Sequence, residues 1–234
     1  MADVSVEGHL VIINFPSLSK VERVLDELNS DTSFGHRDVV LVDEDLPEIP
    51  PELSSRGVRF VRGNPTRDET LTRANIDHSA YLIVLAKQPG NPHSDNQNVA
   101  ITLAIEARHR KVHSVVECVD YSAQELLKKA GCDAIVCTSR FDAHFLSNEL
   151  LNPGVQEIIE ELTSNQKGQQ IYVTEVARSE GLSFSKIADH CKKHGHIAIG
   201  ARIDGVKQLN ITDDRKLSKG DAVISIGEKR MNVL

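Results

Sequence analysis

Short apolar runs alternate with helical patterns up to about residue 140, and this alternation constrains the fold more than any other feature. The run from Leu10 to Ile13 is continuous, as in a strand that is covered on both faces. The segment from Leu18 to Leu28 then repeats apolar residues every three or four positions, as in a helix that lies on a sheet. The predicted strands are Leu10–Ile13, Asp38–Asp43, Val58–Val61, Ala80–Ala86, Val115–Val119 and Ala134–Thr138. Such units need right-handed crossovers, which predicts an α/β, Rossmann-like, doubly wound parallel sheet.

The rest of the chain has a different pattern. Two predicted helices, Phe141–Leu151 and Val155–Leu162, meet at Asn152-Pro153-Gly154, where proline and glycine favour a sharp break. After a polar linker, short alternating strands and a hairpin signal at Asp204-Gly205 predict a small α+β subdomain. A module of this size is marginal by itself, so we expect it to pair with a copy of itself. The predicted domains are residues 1–140, a helical crossover at 141–167, and a C-terminal subdomain at 168–234.

Composition narrows the class of protein. The net charge of -7 argues against a nucleic-acid partner, because phosphate contacts need clustered Lys and Arg. No apolar run approaches the ~20 residues of a membrane-spanning helix, and no N-terminal signal pattern is present. We therefore expect a cytoplasmic protein. The cysteines, expected to be free thiols that are mostly buried, are Cys118, Cys132, Cys137 and Cys191.

The turn after the first predicted strand lacks the glycines of a dinucleotide site. G-x-G-x-x-G is expected there, but the chain reads Asn14-Phe15-Pro16-Ser17. The following helix still offers backbone donors, with the Ser17 hydroxyl beside them. Phe15 and Pro16, however, crowd a pyrophosphate that normally lies against bare glycine. We expect dinucleotide affinity to be lost, while a mononucleotide, whose phosphates need less room, stays open.

An acidic segment follows the second predicted strand. Asp43 and Glu44 come a little over twenty residues after the altered turn, where dinucleotide folds place a carboxylate that accepts the ribose hydroxyls. The alternative interpretation is a solvated acidic loop.

Further polar residues follow strands three and four at the same predicted edge of the sheet. Gly63 allows the backbone to pass close to a ligand, and Thr66 is predicted to cap the helix that begins near Asp68. The complete set of predicted cofactor-binding residues is Asn14, Phe15, Pro16, Ser17, Asp43, Glu44, Gly63, Asn64, Thr66, Ala86 and Lys87.

Two clusters have the composition of metal sites. Oxygen donors near strands four and five suit Ca²⁺ or Mg²⁺; they are Asp95, Asn96, Asn98, Glu117 and Asp120. No contiguous loop of alternating carboxylates is present, so solvated loop residues are favoured, with Glu117 and Asp120 kept as weak metal candidates. A zinc-like cluster comprises His190, Cys191, His194 and His196. It lacks a second cysteine pair, which favours a polar helix end.

Three segments carry a family resemblance. VRFVRGNPTRDETLTRANIDHSAYLIVLA (Val58 to Ala86) resembles the middle of an RCK domain, the regulator of potassium conductance. VVECVDYSAQELLKKAGCDAIV (Val115 to Val136) resembles the part that follows it. IAIGARIDG and KLSKGDAVISIG are similar to the small RCK C-terminal subdomain, so the resemblance extends from Gly8 to Gly227.

The resemblance implies a ligand-sensing cytoplasmic domain that assembles into a gating ring and controls potassium channel opening. RCK domains pair through the helical crossover and commonly form octameric rings at the cytoplasmic face of the cell membrane, attached to a pore domain. Calcium-gated members use three carboxylates whose positions here are Leu85, Glu117 and Val119, so only Glu117 remains. The resemblance thus implies two possible ligands, an adenine nucleotide or a divalent cation such as calcium, and does not decide between them.

Two alternatives are kept. A separate regulatory subunit of a potassium uptake transporter shares the same fold, but such subunits usually keep the glycine turn. A nucleotide-dependent oxidoreductase is a further alternative, and the absence of a recognisable catalytic motif predicts that the chain is not an enzyme.

Overall fold

The computed structural model describes residues 4–31, 33–108, 112–177 and 181–231. It divides the chain into two compact units, Met1–Ser147 and Asn148–Leu234. Each unit has its own main sheet. The division into residues 1–140, 141–167 and 168–234 stays a prediction. Across the described ranges, no helix combines the length and the apolar character that crossing a membrane requires.

The first unit is a six-stranded parallel sheet with helices on both faces, in the strand order β3-β2-β1-β4-β5-β6. Its elements are β1 (Leu10–Ile13), α1 (Leu18–Ser30), β2 (Val39–Asp43), α2 (Pro51–Ser55), β3 (Arg59–Arg62), α3 (Asp68–Arg73), β4 (Tyr81–Val84), α4 (His93–Glu106), β5 (His113–Cys118), α5 (Gln124–Ala130), β6 (Ala134–Cys137) and α6 (Thr138–Leu151), which continues past the boundary. This order confirms the predicted doubly wound sheet. Its switch point lies between β1 and β4, where ligands of such folds bind.

The core of the first unit explains why β1 reads as a continuous apolar run. All of its side chains are buried, and they alternate between two clusters. Val11 and Ile13 enter the cluster that α4 covers, while Leu10 and Ile12 enter the cluster that α1 covers. A strand with both faces covered in this way has no solvent-facing position for a polar residue.

The second unit is a small α+β fold, as predicted. Its elements are α7 (Val155–Thr163), β7 (Gln170–Glu175), β8 (Leu182–Ser183), α8 (Phe184–Lys193), β9 (Ile197–Ile203), β10 (Val206–Leu209), β11 (Lys216–Leu217) and β12 (Ala222–Gly227). The main sheet is antiparallel, in the order β10-β9-β12-β7. Asp204 and Gly205 have φ values of 50° and 78°, which confirms the predicted tight hairpin between β9 and β10. Gly154, with φ of 92°, confirms the predicted break between α6 and α7.

The sequence also predicts a helix from about Asn98 to Arg110, and the start of this helix is wrong. Helix α4 begins at His93, and the predicted end at Arg110 lies outside the described residues. The early start was missed because Ser94, Asp95 and Asn98 are polar, although the fold buries all three. The strands β8 and β11 were not predicted, because two residues are too few to show a period.

Asp221 organises the turn before β12. Its buried carboxylate accepts hydrogen bonds from the backbone N–H groups of Ser218, at 2.8 Å, and Asp204, at 3.1 Å. The Ser218 N–H is the largest of the causes that lower the pKa of Asp221 below its usual value. The negative charge of this side chain therefore contributes to the stability of the turn.

Replacing Asp221 by Asn should lower the free energy of unfolding at pH 7 by about 1–3 kcal/mol, because a backbone N–H group loses its charged acceptor. The folded pKa is lowered, so the contribution is complete above about pH 4 and is lost as the pH falls through the folded pKa. Urea unfolding at pH 7, 5 and 3 should thus show a gap between wild type and variant that narrows in acid. Asp204→Asn, at an exposed position, is the control, and a gap that does not change with pH contradicts the assignment.

Candidate functional site

Asn14 occupies the turn between β1 and α1 where a glycine was expected. Its φ is 72°, in the left-handed region that asparagine tolerates better than most residues with a side chain. The buried side-chain amide donates to the carbonyl of Leu85 at 2.8 Å and to Oδ1 of Asn98 at 3.3 Å. These bonds attach the turn to the end of β4 and to α4. The turn therefore keeps its left-handed residue without glycine because tertiary hydrogen bonds stabilise it.

The carboxylate of Asp43, the last residue of β2, is fully buried at the centre of this edge. One oxygen accepts from the N–H of Phe15 at 2.8 Å, and the other accepts from the N–H groups of Asp45 and Leu46, both at 2.8 Å. The Lys87 ammonium lies 2.7 Å and 2.5 Å from the two oxygens. A carboxylate has about four lone-pair sites, and these donors use them. The solvated-loop alternative is therefore wrong for Asp43, and its oxygens already have the partners that a ribose would need.

A cleft of about 140 Å³ lies beside this carboxylate at the carboxyl edge of the sheet. Its lining residues are Asn14, Glu44, Asp45, Asn64, Pro65, Thr66, Lys87, Gln97, Ala100 and Ile101. The charged members are the carboxylates of Glu44 and Asp45 and the ammonium of Lys87, which also lies 3.1 Å from Asp45. The cleft is thus acidic, and its cation is already paired.

The structure brings together only part of the predicted cofactor-binding set. Asn14, Glu44, Asn64, Thr66 and Lys87 line the cleft. The remaining predicted residues lie outside its lining; they are Phe15, Pro16, Ser17, Asp43, Gly63 and Ala86. Gln97, Ala100 and Ile101 of α4 also line the cleft and were not among the predicted cofactor-binding residues; the predicted helix start near Asn98 leaves out Gln97.

Ser17 and Gly63 have structural roles in the turns that they occupy. The Ser17 hydroxyl accepts from the N–H of Lys20 at 3.3 Å and so caps α1. A Cβ added to Gly63 would lie 2.5 Å from Oγ1 of Thr70, so glycine is required there by the packing of α3. The close approach predicted for Gly63 is therefore made to a helix of the same unit.

The prediction that Thr66 caps α3 is wrong. The residue that precedes α3 is Arg67, and no side chain caps the helix there. The backbone N–H and the hydroxyl of Thr66 instead donate to Oδ1 of Asn64, at 2.9 Å and 2.6 Å. An asparagine accepts readily from the backbone two residues later, and this local turn engages Thr66 before the helix begins.

Two more buried carboxylates bind strand ends, Glu117 at the end of β4 and Asp95 at the end of β5. Glu117 accepts from the N–H of Ala86 at 3.0 Å and from the Lys20 ammonium at 3.2 Å. Asp95 accepts from the N–H groups of Val119 at 2.7 Å and Asp120 at 2.8 Å. The expectation of a solvated loop residue is therefore wrong for Asp95, because the early start of α4 places it against the end of β5. No sequence motif distinguished Lys20.

No group of three or more His, Cys, Asp or Glu side chains within residues 4–31, 33–108, 112–177 and 181–231 is arranged to hold a metal ion. Glu117 has the partners given above, and exposed Asp120 accepts from the N–H of Ser122 at 2.8 Å. These two weak metal candidates thus have no third ligand among the described residues.

The zinc-like cluster separates in the second unit. The His190 and His194 rings are exposed and lie 4.3 Å apart at the end of α8. For these two residues, the predicted polar helix end is confirmed. That interpretation is wrong for Cys191 and His196, which are buried. His196 contacts the Ser225 hydroxyl at 3.1 Å and the Lys229 carbonyl at 2.7 Å. Its ring therefore belongs to the interior of this unit.

The thiols are free, and three of the four are buried, as predicted. Burial is the main cause that raises the pKa of Cys118 to about 12. Burial also raises the pKa of Cys132 and that of Cys191. Since the thiolate is the nucleophilic form, the raised pKa of each of these thiols disfavours its reaction at neutral pH.

The TrkA-N domain family matches residues 21–138, and the chain belongs to this family. The human SLO3 gating ring superposes with a TM-score of 0.71 at 18% identity, covering 94% of this chain and 44% of that chain. The RCK domain of GsuK superposes with a TM-score of 0.50 at 17% identity, covering 96% of this chain and 45% of that chain. These likenesses confirm the predicted RCK fold.

A similarity in sequence extends to the calcium-gated potassium channel TvoK of Thermoplasma volcanium. It is 21% identical over 184 residues, covering 76% of this chain and 52% of the relative. The chain spans between 24% and 52% of the length of the curated relatives that it matches.

Replacing Asp95 by Asn should lower the free energy of unfolding by about 1–3 kcal/mol, because one of the two backbone N–H groups that donate to it then faces an amide nitrogen. Hydrogen exchange should become faster at the amides of Val119 and Asp120. Asp142→Asn, at an exposed position of α6, is the control. Unchanged exchange at both amides would show that Asp95 does not join α4 to β5.

Proposed function

We propose that this chain is a ligand-sensing regulatory domain that assembles into a gating ring and controls the opening of a potassium channel. Membership of the TrkA-N family, the similarity to TvoK and the fold shared with the SLO3 gating ring support the proposal. In this role the domain acts at the cytoplasmic face of the cell membrane. It needs no catalytic group, in keeping with protonated thiols and edge carboxylates that are engaged in structural hydrogen bonds.

The observation that carries this proposal is a pair of consecutive helices without a buried side. No residue of α6 or α7 is buried. Their most exposed apolar side chains are Phe141, Leu146, Leu150, Leu151 and Ile158, with Leu150 exposed to 83%. Helices of this length are marginal in water without packing, and clustered exposed apolar side chains mark interaction surfaces. The second copy of the chain supplies the missing contact, so that α6 and α7 form the pairing surface.

A second apolar surface lies on different helices of the first unit. Leu103 on α4 and Leu126 on α5 are each about half exposed, and α4 and α5 contact each other. One self-complementary surface yields a pair, whereas a second, different surface allows pairs to join into a closed ring. We therefore infer a dimer through α6 and α7 and an octameric ring built from such dimers.

Gating requires that the ligand binds one arrangement of the pair better than the other, since equal affinity shifts no equilibrium. The cleft at the carboxyl edge is the ligand site that we propose. Family membership and the similarity to TvoK suggest two ligand classes, an adenine nucleotide and a divalent cation such as calcium, and the carboxylates in the lining of the cleft disfavour phosphate groups on the first. The cleft lies at the same edge as the β1–α1 turn, so a bound ligand contacts elements on both sides of the switch point.

Replacing Leu150 by Asp should weaken pairing at least tenfold, because a charge then enters an apolar contact. Light scattering over a concentration series should give dimers or larger assemblies for wild type and a shift toward monomer for the variant. Val206→Asp, a similarly exposed apolar position in β10, is the matched control. A wild-type chain that stays monomeric at high concentration contradicts the proposal.

The channel role is tested in the full-length protein with its pore. Potassium currents should lose ligand dependence in Leu150→Asp and keep it in Val206→Asp. A pore encoded in the same reading frame supports the channel over the separate uptake subunit. Currents that are equal in wild type and Leu150→Asp at every ligand concentration would exclude gating through this helix pair.

A further inference from the structure

We propose that the Asp43 carboxylate is a resident anion, which occupies an anion-binding cradle beside the cleft at the sheet edge and excludes ligand phosphate from that cradle. The cradle consists of the N–H groups of Phe15, Asp45 and Leu46 and the ammonium of Lys87. This inference rests on the proposed function, because it specifies the ligand class of the proposed sensing cleft.

The geometry of the cradle is that of an anion site. Three backbone N–H groups from two loops point at one buried carboxylate, each at 2.8 Å, and an ammonium completes the set. Convergent backbone N–H groups are what phosphate-binding turns offer to their ligands. The N–H of Phe15 belongs to the β1–α1 turn itself, where the pyrophosphate of a dinucleotide would lie. Here that donor is already bound to an anion of the protein.

A ligand phosphate has no low-cost route into this cradle. Asp43 would have to leave three N–H groups and Lys87, and a buried carboxylate without partners is strongly unfavourable. If Asp43 stayed, two anions would lie side by side in a place that is largely shielded from water. Both arrangements disfavour phosphate. The cradle at the end of β2 therefore does not fit a phosphate group.

The rim of the cleft indicates which ligand remains acceptable. Glu44 and Asp45 provide carboxylate acceptors, while Asn64, Thr66 and Gln97 provide amide and hydroxyl groups. Acceptors of this kind bind hydroxyl groups and repel phosphates. We infer an uncharged, hydroxylated ligand, for which a nucleoside such as adenosine is a suitable probe.

The wild-type chain tests this ligand class directly. Thermal unfolding is measured with adenosine, AMP, ADP, NAD⁺ and inorganic phosphate at matched ionic strength. The phosphate-bearing compounds should raise Tm no more than adenosine does, since specific binding to the folded state would raise it. A rise with ADP or NAD⁺ that exceeds the adenosine value by about 2 °C or more would overturn the proposal.

Anion rescue tests the cradle. Asp43→Ala should unfold at a lower temperature than wild type, and 100 mM formate should restore about 3 °C relative to chloride. Wild type should respond to formate by less than about 1 °C. Asp45→Asn is the matched control, because its exposed carboxylate also contacts Lys87 but accepts none of the three N–H groups.

An Asp43→Ala protein that gains no more from formate than wild type and Asp45→Asn do would overturn the resident-anion assignment. If Asp43→Ala does not fold, the nucleotide titration of the wild-type chain decides alone. Failure of either test leaves pairing through α6 and α7 unaffected, because light scattering measures that pairing without any ligand.

Discussion

The buried carboxylate of Asp43 is the interaction on which the carboxyl edge of the first unit depends. It joins the β1–α1 turn, through Phe15, to the loop after β2 and to Lys87 after β4. Glu117 and Asp95 act in the same way further along the sheet, where Glu117 accepts one backbone N–H group from a strand end and Asp95 accepts two. Each of these carboxylates is buried because its hydrogen bonds replace those to water. Removing Asp43 would leave N–H donors unpaired in two loops at once.

This network has a functional consequence for a regulatory domain. Loops that are cross-linked by buried charges resist local rearrangement. We therefore expect the first unit to respond to a bound ligand largely as a rigid body. Under the proposed function, movement then occurs at the surfaces between copies, and the exposed helices α6 and α7 are the surface that we propose for pairing. A domain of this kind needs neither a nucleophile nor a pyrophosphate turn. It needs a cleft whose occupancy favours one arrangement of the pair.

Local signals in the sequence predicted the elements that depend on local chemistry. The apolar run of β1, the Asp204-Gly205 hairpin and the break at Gly154 all follow from side-chain period or from residues that favour positive φ. The errors arose where distant groups decide the outcome. The start of α4 was placed too late because its polar first turns look solvent-exposed, yet Asp95 binds the end of β5. Thr66 was expected to cap α3, but the nearer acceptor of Asn64 engages it.

The sequence by itself determined the alternation of strands and helices, the small second fold and the absence of glycine from the β1–α1 turn. These features depend on the period of apolar residues and on backbone preference, both of which can be read from residues close together in the sequence. Only the tertiary structure decided what replaces the missing glycine. The side chain of Asn14 forms hydrogen bonds with Leu85 and Asn98. The Asp43 carboxylate accepts hydrogen bonds from the Phe15 N–H and the Lys87 ammonium. The partners in these four bonds are 28 to 84 residues apart in the sequence. Hydrogen bonds at such separations form only when the folded sheet brings its strand ends together, so no local sequence pattern predicts them.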